Sequence, residues 1–202
     1  SHSHLITNMR IGVDGFVRML VLTSPETSEN RAGRVAQRLL ELETYRMMSL
    51  LSLPIAKQLS SKLFEAETKL VEITARIEAN TDSDEALLNL LARLAAQVES
   101  ATAEHSYRFS AARAYDAIAK ERILEMREKP LSGIQTLGVF LQRRLAPAIA
   151  TVNATSDRLE GLAERVARAS ALLRTRVEIA TEAPSSSNTI ETVVDVGNPS
   201  VL

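Results

Sequence analysis

The chain has 202 residues, no cysteine, and 24 basic against 25 acidic residues, for a formal charge of −1. This excludes disulfide frameworks, thiolate metal sites and cysteine nucleophiles, and it leaves no bulk field to attract nucleic acid or an anionic membrane. Leu and Ala, 27 each, set against seven Gly, three Tyr, four Phe and no Trp, predict an all-α protein.

In chain order, the opening Ser1-His2-Ser3-His4 reads as a tag remnant, and residues 1–10 are expected to be that remnant or a disordered N-terminus. Phe16 to Thr23 is rich in β-formers and bounded by Gly15 and Ser24-Pro25, which predicts one short strand over 16–23. A lone strand is unstable. Two partners are open to it: the strand-like run Thr189 to Val196, or a strand missing from the sequence. The tail 184–202 follows a Pro-Ser-rich break and is expected to be disordered or strand-like.

Between these ends the pattern is helical. Asn30 is a plausible N-cap, Pro54 interrupts or bends, Thr81 to Asp84 and Pro130 to Gly133 are turns, and Pro147 interrupts again. Three helical segments follow, 31–79, 84–129 and 134–183. Each carries a seam with alternating spacings of three and four: Leu59, Leu63, Ala66, Leu70, Ile73, Ile77; Leu87, Leu91, Leu94, Val98, Ala101; and Ala148, Val152, Thr155, Leu159, Leu162, Val166, Ala169, Leu173. In the later part of the second segment, Tyr107, Phe109 and Tyr115 stand among alanines, as expected where rings fill gaps between closely spaced helices. Short connections between such seams predict an elongated antiparallel bundle of long, coiled-coil-like helices, 11–183 overall. The span 38–53 is apolar on nearly every side, so Leu39, Leu42, Tyr45, Met47, Met48 and Leu50 are expected to form an interaction surface, with homo-oligomerisation as its use.

Chemistry is scarce. No phosphate loop and no Gly-x-Ser-x-Gly elbow occurs, and the lone internal His105 sits beside the second seam, where a helix-interface role is expected. Glu41 and Glu43, with Arg38 and Arg46 nearby, are read as two intrahelical ion pairs, and as the only weak candidates for a divalent-cation site. Asp82, Asp84 and Glu85 lack a calcium-loop pattern and are assigned to the helix dipole. The cluster Arg165, Arg168, Arg174 and Arg176 is diluted by Glu164 and Glu178, so no nucleic-acid surface is expected. Neither a catalytic group nor a cofactor is expected, and the chain is read as no enzyme.

Four stretches carry a resemblance: Arg31 to Arg34 leading into Gln37 to Arg46; Tyr107 to Ala111 with Arg113 to Tyr115; Gln135 to Gly138 with Phe140 and Arg143 to Leu145; and Leu172 to Val177. In this order they resemble the bacterial family of domain of unknown function 3422, over roughly residues 11–180. The resemblance implies a longer, inner-membrane-anchored parent with an additional N-terminal region and a C-terminal membrane hairpin similar to that of CorA-like channels. It implies that this region is a cytoplasmic stalk, with the third segment leading to the bilayer and membrane-associated proteins as partners. After Ala183 the sequence departs from that pattern, as a truncated chain would. The reading is therefore a helix–helix interaction and oligomerisation domain, with a divalent-cation transport or sensing domain as the alternative.

Overall fold

A computed structural model describes residues 3–182. The elements are β1 (His4–Ile11), β2 (Val17–Leu22), α1 (Glu29–Leu50), α2 (Leu53–Ala79), α3 (Asp84–Met126) and α4 (Leu137–Glu182). The all-α bundle is therefore present, with a two-stranded antiparallel sheet at the N-terminal end.

Where a remnant or a disordered N-terminus is expected, residues 4–11 form β1, and β1 is the partner of β2, which runs 17–22 rather than 16–23. The turn between them suits its glycines. Gly15 takes φ +81°, and the Gly12 amide donates to the Phe16 carbonyl at 2.9 Å. Sequence reading misses β1 because Thr7-Asn8 and Arg10 interrupt its apolar run. The structure has a bulge there, with Thr7 opposite Met19 and Ile11 opposite Val17. Met9 adopts φ +48° at the bulge, its amide donating to Thr7 Oγ1, and so turns its side chain inward.

The first helical segment divides at 51–52, ahead of Pro54, which sits in the first turn of α2 where its missing N–H costs nothing. Leu51 and Ser52 keep right-handed helical angles, so α1 and α2 run on as one bent arm. The N-cap of α1 is Ser28 rather than Asn30. Ser83 caps α3 as its Oγ accepts the Ala86 amide at 3.3 Å. Arg127 ends α3 in the left-handed conformation, earlier than the expected 129, and Leu131 and Ile134 form a bridged turn before α4 starts at 137. Pro147 leaves α4 unbroken through 46 residues, which span roughly 69 Å at 1.5 Å per residue.

The bent arm packs on α3 and α4 in two stages. α1 lies antiparallel to the second half of α3, where Tyr45 stacks on Tyr115 and Ser52 Oγ donates to the Arg108 carbonyl. α2 lies against α4 and the first half of α3, and the three predicted seams meet there as one core that includes Leu63, Leu91, Phe109, Leu162 and Leu173. A second, smaller core joins the hairpin to the helices through Met9, Leu42, Ala119 and Leu141. The hairpin thus lies near the start of α4, at the opposite end from Glu182. The C-terminal run 189–196 falls outside the described residues.

Candidate functional site

The hairpin end gathers most of the distinctive sequence. Two of the four stretches that carry the family resemblance, 37–46 on α1 and 135–145 at the start of α4, contribute to the small core there, and Tyr115 from a third stacks on Tyr45. Their packing explains several residue choices. Glu128, just past α3, accepts the amides of Leu137 and Gly138 on its two carboxylate oxygens at 2.9 and 2.8 Å, so a side chain supplies the cap of α4 and complements its dipole. Gly138 is required by crowding, since a Cβ there would lie 2.8 Å from Ile123 Cγ2 and 2.9 Å from Glu128 Oε2. Arg144 lies over the Phe140 ring at 5.5 Å.

The two candidate carboxylates separate. Glu41 accepts from Gln37 at 2.8 Å and lies 2.9 Å from Arg122 Nε of α3, an ion pair whose hydrogen-bond alignment is poor. Arg122 also binds Glu125 at 2.7 Å, and its guanidinium is raised above its ordinary value first by that hydrogen bond. Arg38, expected on Glu41, instead approaches Glu125 at 3.9 Å. Glu43 does take its expected partner, binding Arg46 through both oxygens at 2.7 and 2.5 Å. Each carboxylate is thus held by an arginine, and neither faces the other. Among the described residues no group of three or more His, Asp or Glu is placed to hold a metal ion. His105 is mostly buried, its ring 6.0 Å from that of Phe109, consistent with an interface position.

The expected interaction surface is redistributed. Leu39 and Leu42 are 4% and 0% exposed and belong to the chain's own interior, Leu42 in the core shared with α3 and the hairpin, so neither side chain is open to a partner in this structure. Tyr45 and Leu50 are half-buried, while Met47 and Met48 remain open. Two residues outside that group, Leu40 and Leu51, are exposed at 69% and 56%. Leu40 and Met47 each directly follow a residue on the inward seam, Leu39 and Arg46, and so turn away from the bundle. In a span apolar on every side, composition gives no sign of which side is spent internally.

At the opposite end Arg176 joins three helices. It pairs with Asp84 at the start of α3 and donates to the Ile77 carbonyl near the end of α2 at 3.2 Å. The Arg176 hydrogen bond holds the Asp84 carboxyl below its ordinary range, and Arg76 does the same for Asp82. Asp84 therefore serves a cross-helix pair in addition to the dipole role expected from sequence. Arg168 pairs with Glu164 at 3.4 Å, so two arginines of the basic cluster, Arg168 and Arg176, carry acidic partners.

These features define a class: a long helical rod of antiparallel packing, closed at one end by a β-hairpin. Its family is set by comparison. The chain belongs to the family described as protein of unknown function (DUF3422), whose model matches residues 1–188. The match begins at residue 1 and runs past Ala183, so it is wider than the 11–180 over which the resemblance is visible by eye. No curated protein and no solved structure matched the chain. No helix among the described residues is long and apolar enough to cross a membrane.

Proposed function

We propose that this chain is a stalk and oligomerisation domain of a membrane-anchored bacterial protein, facing the cytoplasm and working through helix–helix contact. The observation that carries the reading is the outer side of α1 and its junction with α2: Leu40, Met47, Met48 and, at the junction, Leu51 stay exposed beside Leu39 and Leu42, which are already buried in the chain's own bundle. Apolar surface left over beside a completed seam is what a second helix covers. The pair of Glu41 with Arg122 links α1 to α3, and the pair of Glu43 with Arg46 lies within α1, so both carboxylates are engaged by arginines.

Light scattering of the purified chain tests the first part. A mass above the monomer is expected, reverting to the monomer in a Leu40→Glu, Leu51→Glu double variant with an unchanged helical circular dichroism spectrum. A wild-type monomer at about 100 μM would remove the oligomerisation reading. Anchoring is tested on the full-length gene product, which should sediment with membranes and resist extraction by high salt and alkali.

A further inference from the structure

The connection between α3 and α4 presents a surface that neither the fold nor the proposed oligomer uses. Pro130 leads into a tight turn in which Leu131 and Ile134 bridge to each other around Gly133, which has φ +74°. The turn holds the two aliphatic side chains as neighbours, 51% and 65% exposed. A bridged turn thus keeps two large apolar groups out in water.

The charged residues that flank this turn in sequence, within 127–144, are mostly basic, and the nearest acid before them, Glu125, is paired with Arg122 while Glu121 is exposed. Arg127 and Lys129 precede it, and Arg143 and Arg144 follow within two turns of α4, all exposed. The intervening acid, Glu128, is spent on the amides of Leu137 and Gly138. No further acid occurs until Asp157. The near-neutral net charge of the whole chain therefore hides a stretch, residues 127–156, with four cations against the single acid Glu128, and that stretch contains the pair of exposed aliphatic side chains.

We propose that this end of the rod binds a lipid surface bearing anionic head groups, the cations meeting phosphates and Leu131 with Ile134 entering the interfacial layer. The pairing of charges with projecting aliphatic groups selects this partner over nucleic acid. Phosphate contact alone would use the arginines and leave Leu131 and Ile134 in water. The nearest aromatic ring in sequence, Phe140, packs on the small core beneath Arg144, where it offers no open face for a base to stack on. If an anchor follows α4, contact at both ends would lay the rod along the bilayer.

Vesicle co-sedimentation with the full chain tests this. Binding is expected to phosphatidylglycerol vesicles and not to phosphatidylcholine vesicles, weakening as salt rises. A Lys129→Glu, Arg143→Glu variant should lose roughly fivefold in binding or more for each cation replaced. A Leu131→Ser, Ile134→Ser variant, changed only at exposed positions, should also bind more weakly while keeping its melting temperature. Absence of binding to the anionic vesicles overturns the proposal, and so does binding that both variants retain. Equal binding to polyuridylate, insensitive to the serine substitutions, would show charge attraction alone and overturns it too. Because none of these substitutions touches Leu40 or Leu51, the oligomeric state reports separately on the proposed function.

Discussion

Gly138 shows how much one missing methyl group decides. Alanine is the better helix former by about 1 kcal/mol, yet at this position its Cβ would press on both Ile123 and the carboxylate that caps α4. Gly138→Ala is therefore expected to lower stability by about 1–2 kcal/mol in a denaturant titration. Gly161, inside the same helix, has open space within 4 Å of where a methyl group would stand, and it supplies the control. Gly161→Ala should raise stability by roughly 0.5–1 kcal/mol. None of this is legible in the sequence, where the two glycines look alike. The pair Tyr107 and Phe109 makes the same point. The alanine-rich setting predicts gap-filling for both, and the structure buries Phe109 completely while leaving Tyr107 84% exposed, because only Phe109 falls on the inward side of α3.

At the scale of elements, the seams are readable because period and burial coincide. Leu59, Leu63, Leu70 and Ile73 of α2, and Val152, Leu159, Leu162, Val166 and Leu173 of α4, are all buried as their spacing requires. A consequence is that Phe109→Ala should cost about 3–5 kcal/mol, whereas Tyr107→Ala should stay within about 0.5 kcal/mol, as measured by chemical unfolding. What escapes reading are features set by contacts distant in sequence or by backbone geometry. β1 is hidden by its bulge, the cap of α4 comes from Glu128 nine residues upstream of Leu137, and the partner of Glu41 is Arg122 on another helix. The candidate surface is half legible for the same reason: the apolar excess of α1 shows in the sequence, and its division between interior and exterior does not.

At the scale of the whole molecule, the far end of the rod is held by carboxylates whose titration matters. Asp84 is lowered chiefly by its hydrogen bond from Arg176, and Asp82 by that from Arg76. A carboxylate with a lowered folded value contributes stability above its ordinary value, and that contribution disappears as pH falls through the lowered one. The melting temperature should therefore hold between pH 7 and 5 and decline below about pH 4. An Asp84→Asn variant should start lower at neutral pH and show a shallower acid decline. An unchanged acid profile in that variant would place the acid sensitivity elsewhere.

The same clip also governs how the rod carries load. Arg176 ties the last described turns of α4 to the end of α2 and the start of α3, and among the described residues Val177 to Glu182 of the helix lie beyond it. Tension applied along the axis at Glu182 meets this clip first and then strains the long α4 seam in shear, so many contacts share it at once. Tension applied sideways would peel those contacts one turn at a time, starting from the same arginine. The rod is thereby stiff toward a pull along its length and yielding toward one across it.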